Sequence, residues 1–339
     1  MIMNKFLKNL SINDLNGGIN IIDIGAIGSL DPTWNNLLSK LNIIGFEPNL
    51  EACSELKDLY RNFNKAEFFP FAIGGIDGVS KINITEHEEC YSLLKPNKEW
   101  LKRFNYGDYF EVLKESEVNT KTLESMSNIQ HIDFDAIKID AQGMELPILN
   151  SANNILSSAF YVELETGLQE NYHKETTLDQ VMPFMRDRDF LLFDLKTQPP
   201  EPRKNLFAQH EESFGQPMAS EGIWLKDYVA LDSKGNFDKE KFSRGKALRV
   251  LLLAAKDQHY DFGYELAQLF YSKGIIYQND FDNLSELKSW FLHDEVNYNK
   301  LSLLAANFVR LFPTQIRYEI SQIVHDISKK PSILGFLTK

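Results

Sequence analysis

The 339-residue sequence has little cysteine and no long hydrophobic run. Its two cysteines, Cys53 and Cys90, are too few for a disulfide framework or a zinc finger, so we expect buried, reduced thiols. The longest clearly apolar run, residues 250–255, is far shorter than the roughly 20 residues that a membrane-spanning helix needs. The amino-terminal residues contain lysines but no apolar segment with a cleavage site, so we expect mature protein there. These absences predict a cytoplasmic protein without a membrane span.

Basic residues are also scarce. The 36 lysines and arginines face 48 aspartates and glutamates, which gives a net charge of −12. This balance disfavours a protein that binds nucleic-acid phosphates or docks on anionic lipid, because both need a basic face. Apolar residues make up 43% and charged residues 25%, which is typical of a globular protein and excludes a mainly disordered, collagen-like or coiled-coil chain.

Short apolar runs alternate with helical patterns from about residue 19 to residue 196. The runs predict seven strands, at residues 19–24, 42–46, 67–73, 134–139, 159–164, 191–195 and 222–225. The patterns between them predict helices at residues 34–41, 49–60, 145–156 and 178–186. Continuous apolar strands between helices indicate an α/β fold with a parallel sheet covered on both faces.

Two segments break this alternation. Residues 76–128 predict a β-rich insertion, and insertions of that length in a compact α/β domain are usually functional loops. Residues 197–221 contain four prolines and predict an irregular lid or linker.

The character of the chain changes at about residue 238. Apolar residues then recur at helical spacing, from Leu248 and Leu251 to Ile320 and Ile323, and predict four or five short helices. We therefore predict an α/β domain at residues 1–230 and an all-helical carboxyl-terminal extension at residues 238–339. The apolar stripes of the extension need a partner surface, either on the α/β domain or on a second copy of the chain in a homodimer.

A glycine-bearing turn follows the first predicted strand and reads Asp23-Ile-Gly25-Ala26-Ile-Gly28. Such a turn lets the backbone approach a ligand at a helix amino terminus. The dinucleotide fingerprint G-x-G-x-x-G has a glycine where Asp23 stands, and an aspartate repels a pyrophosphate but suits a positively charged ligand. A tight strand–helix turn without a ligand is the alternative.

Glu47 and Pro48 follow the second predicted strand. Glu47 stands 24 residues after Asp23, near the spacing of about 20 residues at which an acidic residue binds ribose hydroxyls. A solvated loop glutamate is the alternative. Together the two signals favour a cofactor that has an adenosine and an amino group but no pyrophosphate, as S-adenosylmethionine does.

Polar residues also lie at the ends of the fourth and fifth predicted strands. Asp140 and Gln142 follow the fourth, and Glu163 and Glu165 lie on one face of the fifth because side chains alternate along a strand. The carboxyl ends of such strands face the ligand crevice. Helix capping by Asp140 and ordinary salt bridges of the glutamates are the alternatives. No metal-ligand pattern is present, although Asp140 and Glu163 could hold Mg²⁺.

Four stretches of the sequence carry a family resemblance, at residues 21–34, 43–56, 118–125 and 134–156. The sequence resembles the FkbM family of S-adenosylmethionine-dependent methyltransferases over about residues 19–196, and K-I-D-x-Q-G-x-E at residues 138–145 is its most specific part. The resemblance implies a Rossmann-like seven-strand methyltransferase sheet and O-methylation, often of a sugar or polyketide hydroxyl. The chain departs from the family's D-x-G-A-N-x-G loop at Ile27 and from its T-L-D at Glu124.

The predicted function is S-adenosylmethionine-dependent O-methylation of a hydroxyl of a sugar or glycan precursor, with no nucleic-acid partner. Methyl transfer to a hydroxyl needs a group that takes the proton. The candidates for that base are Asp140, Glu163, Glu165 and His173. The candidate cofactor-binding residues are Asp23, Gly25, Ala26, Gly28, Glu47, Pro48, Ala72, Asp140 and Gln142.

Two other functions stay open at this point. An NAD-dependent sugar oxidoreductase would also use Glu47 on the ribose, but it needs the glycine that Asp23 replaces. A non-catalytic Rossmann-like binding protein would keep the fold without the chemistry.

Overall fold

A computed structural model describes residues 10–28, 30–61, 63–205 and 215–282. Residues 1–278 form one compact unit and residues 279–339 form another. The helical patterns predicted beyond residue 282 lie outside the described residues. Among the residues that are described, no helix is both long and apolar enough to cross a membrane.

A seven-stranded sheet forms the centre of the described residues. Its strands are β1 (Ile19–Ile24), β2 (Leu41–Phe46), β3 (Lys65–Phe69), β7 (Ala136–Ile139), β8 (Tyr161–Gly167), β9 (Phe190–Thr197) and β10 (Ala219–Lys226). Their order across the sheet is β3-β2-β1-β7-β8-β10-β9. The first five strands in this order run parallel to one another, and β10 is antiparallel to both β8 and β9. This arrangement confirms the predicted α/β class.

The predicted β-rich insertion is confirmed as a second sheet of three strands, β4 (Ala72–Ile73), β5 (Gly78–Thr85) and β6 (Val112–Lys121). The single strand predicted over residues 67–73 is wrong, because β3 ends at Phe69 and β4 pairs with β6 instead. Pro70 lies at the break and has no N–H with which to continue a strand ladder.

Eight α-helices cover the described chain: α1 (Leu50–Leu59), α2 (Lys98–Leu101), α3 (Glu145–Asn150), α4 (Asn153–Ser158), α5 (Leu178–Arg186), α6 (Tyr228–Ser233), α7 (Arg244–Lys256) and α8 (Tyr260–Ser272). Helix α1 begins where expected, because the Asn49 side chain accepts from the N–H groups of Glu51 and Ala52. The helix predicted over residues 145–156 is divided into α3 and α4.

The helix predicted over residues 34–41 is wrong. Two short 3-10 helices, Pro32–Asn36 and Leu38–Lys40, occupy the segment. Trp34 and Leu37 are fully buried, and their spacing of three residues puts both side chains on one side of the tighter 3-10 helix. Strand β2 then begins at Leu41.

Ion pairs of two buried cations, Arg249 and Lys256, join helix α7 to the sheet. Arg249 contacts Asp135 at 2.8 Å and Asp133 at 3.2 Å, just before β7. At the other end of the helix, Lys256 Nζ lies 3.6 Å from Glu163 of β8. Both α7 and α8 therefore belong to the compact unit of residues 1–278. The division into domains at residues 230–238 stays a prediction.

Candidate active site

A cavity of about 1080 Å³ opens at the carboxyl ends of the central strands. Strand β1 lies between β2 and β7, where the strand order reverses, and open α/β sheets bind ligands at such a point. The inner face of the β5–β6 ribbon forms the opposite wall. The wall residues from this ribbon include Ile82, Ile84, Lys114, Ser116 and Val118.

The glycine turn brings β1 close to β7. Gly25 has a φ of +72°, and a Cβ there would lie 1.8 Å from the carbonyl oxygen of Asp140. The N–H groups of Gly25 and Ala26 donate to the Phe46 carbonyl at 3.0 and 3.2 Å. Gly25 lines the cavity, whereas Ala26 and Gly28 do not. Only glycine permits this close approach of the two strand ends.

Asp23 has a partner inside the protein. Its side chain lies 3.4 Å from Lys138 Nζ, and both residues are largely buried. Burial raises the pKa of the Asp23 carboxyl although Lys138 opposes the shift. Burial would lower the pKa of Lys138, but the carboxylates around it reverse the shift and raise it. Asp23 does not line the cavity, so its expected contact with a cationic ligand stays a prediction.

Glu47 lines the cavity at the end of β2 and is only 6% exposed. Its Oε1 accepts a hydrogen bond from the Asn49 N–H at 2.8 Å. Burial raises the pKa of Glu47 to about 7, and the negative charges of Asp23 and Asp140 add to the effect. Pro48 and Ala72 line the same part of the cavity, as do Phe46 and Ile73.

Asp140, Gln142 and Glu165 meet in one hydrogen-bonded cluster. Gln142 Nε2 donates to Asp140 Oδ1 at 2.7 Å and to Glu165 Oε2 at 2.9 Å. Gln198 donates to the other oxygen of Glu165. The charge of Asp140 and then burial raise the pKa of Glu165 well above its usual value. Two carboxyls this close cannot both ionise easily, so the pair favours holding one proton.

Two further buried carboxyls line the cavity, and the sequence reasoning missed both as site residues. Glu145 Oε1 accepts from the N–H groups of Ala141 and Gly143 at 3.2 and 3.1 Å, and burial raises its pKa to about 8. Glu175 accepts from the Tyr172 N–H at 2.9 Å, and burial raises its pKa to about 7. Glu145 is the last residue of the K-I-D-x-Q-G-x-E stretch, and this motif could have identified it as a site residue. No pattern in the sequence marks Glu175 as one.

The structure places Glu163 and His173 apart from the cavity lining. The Oε2 atom of Glu163 accepts from the Trp34 indole at 3.2 Å and from the Tyr161 hydroxyl at 3.0 Å, beside Lys256. His173 is exposed. Asp140 and Glu165 are thus the two predicted bases that come together. Within the described ranges, no group of three or more His, Cys, Asp or Glu residues could hold a metal ion.

Aromatic side chains of the insertion form another wall of the cavity. The Phe110 and Tyr172 ring centroids are 5.4 Å apart, and Tyr106 packs edge-on against Phe110 at 5.3 Å. The Tyr106 hydroxyl donates to Asn171 Oδ1 at 3.1 Å. The insertion was predicted to be functional, but these rings were not singled out, since nothing local in the sequence shows that they face a cavity.

The cavity is strongly acidic. Among the lining residues that the structure describes, Lys114 is the single lysine or arginine. The acidic residues there are Glu47, Glu51, Glu88, Glu89, Glu117, Asp140, Glu145, Glu165, Glu175 and Glu201. Such a lining attracts cations and repels phosphates and carboxylates.

A family comparison decides which enzyme class this crevice belongs to. Residues 26–192 match the model of the methyltransferase FkbM domain. The chain carries an FkbM methyltransferase domain. It is therefore an S-adenosylmethionine-dependent methyltransferase, as the sequence resemblance implied. The FkbM domain spans β2 to the start of β9 and includes Glu47, Asp140 and Glu165. The match supports neither the oxidoreductase nor the non-catalytic alternative.

Several solved methyltransferase structures are similar to the chain at low identity. Magnesium protoporphyrin IX methyltransferase from Synechocystis PCC 6803, with bound SAM, is 10% identical with a TM-score of 0.30, over 66% of this chain and 80% of that one. A proposed tRNA methyltransferase from Streptococcus pneumoniae is 10% identical with a TM-score of 0.33, over 84% and 97%. The amino-terminal domain of EvdMO1, with SAH and D-fucose, is 10% identical with a TM-score of 0.30, over 66% and 82%. No curated protein matches the chain.

Proposed function

We propose that this FkbM methyltransferase transfers a methyl group to a hydroxyl of an uncharged, carbohydrate-like acceptor. The observation that carries the proposal is the pair of carboxyls, Asp140 and Glu165, beneath a wall of aromatic rings in one cavity. A hydroxyl is a weak nucleophile until a base takes its proton, and a positioned base contributes roughly 10²–10⁴-fold to the rate.

The residues of the cavity fit S-adenosylmethionine. Glu47 lies at the end of β2, where a carboxylate can accept from both ribose hydroxyls, and the acidic lining suits a sulfonium cation. The apolar side chains of Phe46 and Ile73 offer a surface for the adenine ring. When bound, this cofactor supplies an electrophilic methyl group.

The two carboxyls of the pair have different roles in proton transfer. The charge of Asp140 and burial raise the pKa of Glu165, so we assign the shared proton to Glu165. Asp140 is then the base that accepts the hydroxyl proton of the acceptor. Gly25 packs against the Asp140 backbone and so fixes the backbone position from which the Asp140 side chain extends. The aromatic wall excludes water from the reacting hydroxyl.

The lining of the cavity supports an uncharged acceptor. Tyr106 and Phe110 present ring faces and edges of the kind that pack against the C–H groups of a sugar. The excess of carboxyls disfavours acceptors with phosphate groups, which include nucleic acids and nucleotide-linked sugars. Carboxylates also accept hydrogen bonds from neighbouring sugar hydroxyls.

Methyl transfer by an Asp140→Asn variant tests the proposal. The amide has almost the same shape but cannot take a proton, so kcat should fall about 10²–10⁴-fold while cofactor affinity is kept. The measurement is radiolabelled methyl transfer to a panel of neutral glycosides, amines and nucleotide sugars, together with calorimetry of cofactor binding. Asp58→Asn on the exposed side of α1 is the matched control.

Two results would contradict the proposal. One is an unchanged kcat in the folded Asp140→Asn protein, which would remove Asp140 as the base. The other is preferred transfer to a nucleic acid or a phosphorylated acceptor, which the acidic lining does not favour.

A further inference from the structure

Gln142 has an unusual backbone conformation at the centre of the cavity. Its φ is +46°, in the left-handed region that residues other than glycine seldom adopt. The Ser92 hydroxyl donates to its carbonyl oxygen at 2.6 Å and holds the strained peptide from the side of the insertion. Strain of this kind persists only where the surroundings fix it, and it gathers at functional sites. The strained backbone therefore points to a functional role for the Gln142 side chain.

The Gln142 side chain makes hydrogen bonds to three neighbours. Its one amide nitrogen donates to Asp140 at 2.7 Å and to Glu165 at 2.9 Å. Its carbonyl Oε1 accepts from the Tyr172 hydroxyl at 3.1 Å. Tyr172 is 1% exposed, and its hydroxyl lies between Gln142 Oε1 and the Cys90 carbonyl oxygen, which is 3.0 Å away. The single hydroxyl hydrogen is shared between these two acceptors, and the buried hydroxyl fixes the direction of the Gln142 amide.

We propose that Gln142 is a positioning residue that holds Asp140 and Glu165 as a pair with one shared proton, and that Tyr172 orients it for this task. The inference rests on the proposed function, since the pair contains the candidate base Asp140. A single NH₂ group has two hydrogens, so it can serve one oxygen of each carboxyl and no more.

The other charged groups around the pair mostly oppose its ionisation. Glu145 and Glu47 act on it from α3 and the end of β2, and Asp23 acts from β1. Lys138 favours the charged form from within β7. The facing loops contribute further titratable groups, which are Cys90, Tyr172 and Glu175 together with His87, Glu88, Glu89 and Tyr91. Against this acidic background the Gln142 amide is a neutral donor that lowers the pKa of Glu165.

The sign of the effect follows from the donor. An N–H group stabilises an ionised carboxyl, so removing it raises the pKa of the pair. The acid limb of the pH–kcat profile should then move to higher pH. A lost hydrogen bond to a charged group corresponds to about one pKa unit or more, so activity on the acid limb of the profile should fall about tenfold and recover at high pH.

The experiment compares Gln142→Ala with Gln258→Ala. Gln258 has a φ of +67° and is exposed outside the cavity, so it controls for placing alanine in the left-handed region. Gln142→Gly removes the side chain without the backbone strain and guards against a folding defect. The readouts are the pH–kcat profile and, independently of activity, a carboxyl ¹³C titration of Asp140 and Glu165 in the intact chain.

We expect both Gln142 variants to move the profile and the carboxyl titration upward by about one pH unit, with Gln258→Ala unchanged. Tyr172→Phe should move them in the same direction but less, because the amide stays and only its orientation is lost. Unchanged carboxyl titration in a folded Gln142→Gly protein would overturn the inference. A shifted titration with an unshifted kcat profile would support Gln142 as the residue that holds the pair and instead refute Asp140 as the base.

Discussion

The affinity for S-adenosylmethionine should depend on pH through Glu47. Its pKa is raised to about 7 by burial and by the neighbouring carboxylates, so the side chain is only partly ionised at neutral pH. The proposed role on the ribose needs the ionised form, which accepts hydrogen bonds from both hydroxyls. Binding should therefore tighten as the pH rises through about 7.

The magnitude follows from the raised pKa. If only ionised Glu47 binds the cofactor, the competent fraction is about one tenth at pH 6 and about nine tenths at pH 8. The dissociation constant should then fall about tenfold between these values, or about 1.4 kcal/mol. Glu47→Gln cannot ionise, so this part of the pH dependence should vanish. At pH 8 the variant should bind about ten- to a hundredfold more weakly, as expected for lost hydrogen bonds to a charged group.

Isothermal titration calorimetry at pH 6, 7 and 8 measures both effects. The pH dependence of the wild-type dissociation constant does not by itself show that Glu47 is the group that titrates, because Glu175 and Glu145 have pKa values of about 7 and about 8 in the same cavity. The difference in this pH dependence between wild type and Glu47→Gln identifies Glu47 as the titrating group, with Glu55→Gln at an exposed position of α1 as the control. Equal slopes and equal affinities in wild type and Glu47→Gln would refute the reasoning.

Two stability predictions follow from the packing around the sheet. Gly25→Ala should lower the melting temperature strongly, because the new Cβ would lie 1.8 Å from the Asp140 carbonyl oxygen. Gly28 has a similar positive φ but open space around a Cβ, so Gly28→Ala should lower the melting temperature only through backbone strain. Equal melting temperatures of the two variants would contradict this. Lys256→Met leaves the buried carboxyls of Glu163 and Asp257 without their nearest cation and should lower the free energy of unfolding in urea by about 3–5 kcal/mol, part of which Glu163→Gln should restore; an unchanged midpoint would contradict it.

Much of the fold and of the site could be predicted from the sequence because the relevant patterns are local. The β-branched run of β1 is bounded by Gly25, and Asn49 caps α1, so both elements lie where expected. Glu47 and Asp140 could be placed near each other because the carboxyl ends of parallel strands share one edge of a sheet. The K-I-D-x-Q-G-x-E stretch was the most specific of the four stretches that carried the family resemblance.

Only the tertiary structure decided what the remaining residues contact. Glu163 and Glu165 are two positions apart on β8, yet Glu163 pairs with Lys256 of α7 while Glu165 meets Gln142 at the cavity. No local pattern predicts a partner that lies about 90 residues away along the chain. The same holds for Tyr172, whose hydroxyl reaches Gln142 only because the insertion and the loop after β8 pack together. Sequence periodicity reports which face of an element is apolar, whereas the partner of a buried charge is set by how distant elements pack.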